Sequence, residues 1–215
     1  MGQPRRDFAS APVRGRLEAW GLRVAATADH ALVGDRKQAV IGAMSGTVVE
    51  LGPGPGVNMR YYAPGTRVIA VEPNPAMHRG LRAAAMTHGQ EVDVRMVHGE
   101  DLDLADSSVD GVVGTLVLCG VDDPAAVLAT VRRVLRPGGT YFFYEHVAGA
   151  PGSGTRLAQR VAKRPQRWLL NGCEVDRDTG SLLAGAGFAE VAVESVDAGL
   201  QAVWTRTRII GTARV

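Results

Sequence analysis

"VVELGPGPGVNMRYY", residues 48–62, sets Gly52, Gly54 and Gly56 at alternate positions directly behind an apolar, β-branched run. A glycine turn between a strand and a helix lets backbone approach a ligand closely, because no β-carbon stands in the way. A dinucleotide fold needs G-x-G-x-x-G there, so that a pyrophosphate can sit on the helix N-terminus. Counted from Gly52, the third dinucleotide glycine would fall at position 57, which is Val57. The turn therefore suits a cofactor without a pyrophosphate, or is a purely structural turn of an α/β protein. A nicotinamide oxidoreductase is disfavoured.

The next stretch narrows the choice. "VIAVEPNPAM", residues 68–77, is a second apolar strand ending in Glu72, about twenty residues past the turn. An acid at the carboxyl end of the neighbouring strand can accept hydrogen bonds from ribose hydroxyls, although strand-end acids also occur simply as solvated groups. "VHGEDLDLADSSVDGVVGTLVL", residues 97–118, adds a polar loop and then a strand entered through Asp110. Further strand-like runs are "TVVEL", "VDVRMV" and "TYFFYEHV", with helical candidates at 75–88, 123–135, 155–164 and 176–186. "RPGG" ends the second of these helices and turns the chain into the next strand. Strands alternating with helices predict a mainly parallel sheet covered on both faces. "FAEVAVESV" and "QAVWTRTRII" predict an antiparallel hairpin at the sheet edge, and 14–31 and 35–44 read as two N-terminal helices.

Composition bounds the rest. The 215 residues fit one domain with a sizeable core, divided into a helical cap over 1–45 and a cofactor-binding domain over 46–215. A net charge of +2 gives no electrostatic footprint for nucleic acid, and lysine occurs only at Lys37 and Lys163. Cys119 and Cys173 lie far apart in no CxxC spacing, so neither a disulfide scaffold nor a metal site is predicted. No apolar run reaches the roughly 20 residues of a membrane span, and the start "MGQPRRDFASAPVRGR" has no signal-like apolar region. A cytoplasmic monomer is the resulting expectation.

The E-L-G-x-G-x-G turn, the strand-two acid with "PNPAM", "GED", "SSVDGVVGTLVL" and "VLRPGGTYFFYEH" together resemble the class I S-adenosylmethionine-dependent methyltransferases over roughly residues 35–210. The resemblance implies a Rossmann-like fold: a seven-stranded sheet, mainly parallel, with an antiparallel last strand. It implies S-adenosylmethionine as cofactor, with Glu50, Gly52, Gly54 and Gly56 at its methionine and ribose part and Glu72, followed by Pro73 and Met77, on the ribose. His98, Gly99 and Glu100 would border the adenine, and Thr115 and Leu116 the methionine end. Many relatives carry Asp where His98 stands; a neutral histidine can accept the adenine amino group through one ring nitrogen. Asn58 either caps the following helix or touches the methionine carboxylate, capping being the simpler role.

Acceptor identity is read from other segments. "GVNMRYYAPG", "TLVLCGV", "LRPGGTYFFYEHV" and "RWLLNGCEVDRDT" resemble the small-molecule alkyl-thiol methyltransferases of the methyltransferase-like group, whose animal members carry an apolar N-terminal anchor not seen here. The resemblance implies a small, fairly apolar thiol as partner, with O- or C-methylation of a phenol or quinone-like ring and a non-catalytic nucleoside-binding module as alternatives. A thiolate is the nucleophile, and His146 could take the thiol proton, or could bond to backbone or to Glu145. Trp20, Tyr62, Trp168 and Cys173 are candidates for the acceptor pocket, although packing explains each of them too; Cys119 reads as core.

Overall fold

The computed structural model describes residues 12–169, 173–199 and 203–215, except for the side chains of 12–20, 23–25, 164, 165 and 167–169. Seven strands form one sheet: β1 Thr47–Leu51, β2 Arg67–Val71, β3 Glu91–Arg95, β4 Val109–Thr115, β5 Leu135–His146, β6 Glu190–Asp197 and β7 Thr207–Arg214. Their order is β3-β2-β1-β4-β5-β7-β6. Only β7 runs against its neighbours, which matches the expected antiparallel last strand. Among the described residues there are five α-helices: α1 Pro12–Ile41, α2 Pro75–His88, α3 Pro124–Val134, α4 Gly154–Leu169 and α5 Thr179–Gly185. The chain divides into two compact units, residues 1–102 and 103–215.

In the first unit β1 and β2 pair in parallel from Thr47↔Arg67 to Leu51↔Val71. Val48, Val49, Val68 and Ala70 are fully buried, as expected of strands covered on both faces. α2 starts where Asn74 accepts a hydrogen bond from Ala76 N at 3.0 Å and Pro75 occupies the first turn. It stops at Gly89, left-handed at φ 73°, and buries Met77, Leu81 and Ala85 at helical spacing.

The N-terminal segment departs from expectation. Residues 12–41 form one continuous helix rather than two, and Gly34-Asp35 does not break it. His30 and Lys37, on either side of that pair, both reach the turn after β1: His30 Nδ1 lies 2.8 Å from Tyr61 Oη, and Lys37 Nζ donates to Asn58 Oδ1 at 3.0 Å. These tertiary bonds outweigh the roughly 1 kcal/mol that a helical glycine costs.

In the second unit Tyr141, Phe142, Phe143 and Tyr144 of β5 are all fully buried. "RPGG" sits inside β5 as a bulge, since the register jumps from Val109↔Leu135 to Gly111↔Thr140. The helix before it has already ended at Val134. β6 and β7 form the expected edge hairpin, but Val203–Thr205 is a 3-10 turn rather than strand. Gly211 of β7 is obligatory: a β-carbon there would run into Ala192 O and lie 2.7 Å from Phe143 Cζ.

Candidate functional site

The glycine turn follows directly from β1. Gly52, Gly54 and Gly56 have φ of 55°, 55° and 87°, the left-handed region that favours glycine. Gly56 is also pinned by packing, because a β-carbon would lie 2.8 Å from Ala84 Cβ and 3.2 Å from Leu81 Cα. Glu72, at the end of β2, closes the turn. Its carboxylate accepts from Gly54 N at 2.9 Å and from Asn74 N at 2.8 Å. The family resemblance implies a ribose contact for Glu72; in the structure its carboxylate anchors the turn's own backbone. Pro73 is half-buried beside it and Met77 is buried on α2. His98, Gly99 and Glu100 form a half-buried 3-10 turn over Gly99–Asp101 with His98 at its start.

Behind the turn lies a buried polar relay. Lys37 donates to Asn58 Oδ1, Asn58 Nδ2 donates to Glu50 Oε1 at 2.8 Å, and Tyr62 Oη donates to Glu50 Oε2 at 3.0 Å. Asn58 therefore does not cap the 3-10 turn at Met59–Tyr61, against the sequence expectation. Glu50 and Lys37 take both ends of its amide instead. Glu50 is fully buried, and burial pushes its carboxyl up to about 7 against these hydrogen bonds. Tyr62, expected at an acceptor pocket, is buried with its hydroxyl on Glu50. Neither Lys37 nor this relay is evident from local spacing.

The second unit carries a different cluster. Thr115 ends β4, and Leu116 continues it at φ 58°, a left-handed value rare for leucine. The chain then turns so that Val117 N and Leu118 N donate to Glu145 Oε1, both at 2.9 Å, and Cys119 N donates to Oε2 at 3.1 Å. Glu145 is fully buried, and burial raises its carboxyl to about 7 although these three donors pull it down. His146 follows on β5. Its Nδ1 lies 3.6 Å from Cys119 Sγ and 3.7 Å from Cys173 Sγ, and the two sulfurs are 3.5 Å apart. His146 thus faces two thiols rather than Glu145. Of the cysteine pair, Cys173 is lowered by its hydrogen bonds to Cys119 and His146, while Cys119 is raised by Cys173 and by burial.

The loops holding these cysteines are tied together. Glu174 N donates to Cys119 O at 2.7 Å, and Arg177 Nη1 donates to Leu118 O at 2.6 Å and Val121 O at 3.0 Å. Buried Gln159 of α4 bonds Val147 O, Val175 O and Gly149 N within 3.0 Å. The two cysteines, 54 residues apart in sequence, thus meet in space. The side chains of Trp20 and Trp168 lie outside the described residues. No helix among the described residues is long and apolar enough to cross a membrane.

Comparison with known proteins agrees with this architecture. Residues 49–143 match the Methyltransferase domain family. The rat thiol S-methyltransferase TMT1B is 43% identical over 151 residues, 69% of this chain and 62% of the relative. Human TMT1A is 36% identical over 170 residues, covering 78% of this chain and 70% of that protein. The chain thus spans about 62% of the length of the TMT1B relatives it matches. A methyltransferase solved in complex with the Trm112 methyltransferase activator of Haloferax volcanii superposes with a TM-score of 0.69 over 99% of both chains. At 19% identity that likeness concerns the fold alone. The chain belongs to the class I S-adenosylmethionine-dependent methyltransferase family that includes the thiol S-methyltransferases TMT1A and TMT1B.

Proposed function

We propose that the protein transfers a methyl group from S-adenosylmethionine to the thiol of a small, fairly apolar molecule. The observation that carries this reading is the 43% identity to thiol S-methyltransferases over 151 residues. The glycine turn supports the cofactor assignment: its three glycines hold left-handed φ values that favour glycine, with Gly54 N bonded to the Glu72 carboxylate beside it. Gly52, Gly54 and Gly56 would take its methionine and ribose part, Glu72 the ribose hydroxyls, and His98–Glu100 the adenine. The cofactor supplies an electrophilic methyl on a sulfonium.

The residues of the chain then position and exclude water. Glu50, Asn58 and Tyr62 hold the turn from behind, with Lys37 closing the relay. α1, Pro12–Ile41, would act as the cap and shield the turn through its contacts to Asn58 and Tyr61. His146 is the group assigned to the acceptor, since at the end of β5 it already sits beside the sulfurs of Cys119 and Cys173, the first on a loop fixed by Glu145. A small-molecule partner, a monomer and a cytoplasmic setting complete the reading. A radiolabelled methyl-transfer screen over alkyl thiols, aryl thiols and phenols tests it. Transfer to alkyl thiols is expected; transfer to phenols with thiols blank overturns the thiol assignment.

A further inference from the structure

Cys119, His146 and Cys173 bring three soft donor atoms together, all within 4.8 Å of one another. Their separations are nearly equal: 3.5 Å between the sulfurs, and 3.6 and 3.7 Å from each sulfur to Nδ1. A tetrahedral zinc ion bonds sulfur at about 2.3 Å and imidazole nitrogen at about 2.1 Å, so its ligands stand about 3.8 Å apart for sulfur–sulfur and about 3.6 Å for sulfur–nitrogen. The triangle already matches one face of that tetrahedron. A dithiol poised only for oxidation needs two sulfurs and gives no reason for a third donor at the same distance.

Three further observations point the same way. The donors are set on fixed backbone, with Glu145 holding the amides of residues 117–119 and the bond from Glu174 N to Cys119 O joining the two cysteine loops. Gln166, 4% exposed, places its amide against the cluster, with Nε2 3.8 Å from Cys173 Sγ and Oε1 without a hydrogen-bond partner among the described residues. A buried, unpartnered oxygen costs about 1–3 kcal/mol and calls for a ligand or ordered water. Finally, two thiolates would neutralise a divalent ion, so the largely buried position carries no net charge until an acceptor binds.

We propose that Cys119, Cys173 and His146 Nδ1 bind one zinc-class ion, leaving a fourth position for the thiol of the acceptor. Three protein ligands and one open position is the arrangement of catalytic rather than structural zinc. Cys173 is the partly exposed member of the triad, which gives the open side a route for entry. On coordination the acceptor S–H bond breaks, its electron pair stays on sulfur as the new metal–sulfur bond, and the proton passes to solvent. The metal therefore stores the acceptor as thiolate. This last part rests on the thiol reading proposed above; binding of the ion does not.

Zinc titration of the metal-free, reduced protein, with no S-adenosylmethionine present, tests the site. One ion per chain is expected, bound at least 100-fold more tightly than by Cys173→Ser, and zinc should protect both thiols from alkylation until a chelator is added. Cobalt substitution should give thiolate charge-transfer absorption that grows when a small alkyl thiol is added. If Cys119→Ser fails to fold, Cys173→Ser, at the partly exposed ligand, carries the comparison. Stoichiometric binding that survives Cys173→Ser, or no binding at micromolar zinc, overturns the site. Thiol methylation by chelator-treated, metal-free enzyme at the full rate overturns its catalytic part while leaving the proposed activity standing. A bound ion whose cobalt spectrum ignores added thiol removes the acceptor from the fourth position.

Discussion

Gly56→Ala is the most informative single change, because two separate costs can be read from its surroundings. Its φ of 87° is a conformation that costs an ordinary L-residue about 1–2 kcal/mol. The added methyl would also sit 2.8 Å from Ala84 Cβ, so α2 or the turn must retreat by about 0.6 Å to reach ordinary contact. Overpacking of this kind costs about 1–3 kcal/mol. Restricting the unfolded chain returns about 0.4–1 kcal/mol, which leaves a net loss of about 2–4 kcal/mol. Ala84→Gly removes the nearest obstacle, at about 1 kcal/mol of helix propensity. Urea unfolding of the wild type, both single variants and the double variant forms a cycle. The double variant should be more stable than the sum of the singles by about 1–2 kcal/mol, the share due to the Ala84 contact. S-adenosylmethionine affinity, measured by calorimetry, should fall at least tenfold in Gly56→Ala and recover in part in the double variant. A strictly additive cycle, or Gly56→Ala within 0.5 kcal/mol of wild type, would refute the packing argument.

Glu50 gives a pH signature. Its folded carboxyl titrates near 7, above the ordinary 4.5, so the stability it contributes is complete below about pH 4.5 and is lost as pH rises through 7. That shift is worth about 3 kcal/mol at this fully buried site. Glu50→Gln should therefore flatten unfolding free energy between pH 5 and pH 8 relative to wild type; parallel pH profiles would contradict it. Gln159→Leu strands Val147 O and Val175 O without their donor and should cost about 2–4 kcal/mol in urea unfolding. Glu72→Ala removes the acceptor of two backbone amides, and calorimetry should show S-adenosylmethionine binding weakened by 100-fold or more, with a loss of about 1–3 kcal/mol in stability.

Features written locally in the sequence were legible. The glycine turn, the acid ending β2 and the strand-helix alternation depend on near neighbours, and each lies where its spacing placed it. Two readings failed, and one cluster went unforeseen, because distant groups decided the outcome. Residues 14–31 and 35–44 read as two helices, yet one helix runs through, bonded to Tyr61 and Asn58 on either side of Gly34. Asn58 has the chemistry of a cap, but Glu50 and Lys37 outbid the 3-10 turn for its amide. Cys119, His146 and Cys173 carry no signature spacing, since 27 residues separate each cysteine from the histidine. The pairing of β4 with β5, together with the bonds from Glu174 N and Arg177 to the loop of residues 118–121, brings them within reach.

Scarcity of lysine has a practical consequence. Of the two lysines, Lys37 is 4% exposed and engaged with Asn58, whereas the Lys163 side chain is 43% exposed. Among lysine side chains, amine-reactive dyes should therefore label one position. Lys163 Nζ pairs with Asp176 at 3.1 Å, on the segment that carries Cys173. A fluorophore there becomes a ready-made reporter for that segment, installed on the native sequence without a single mutation.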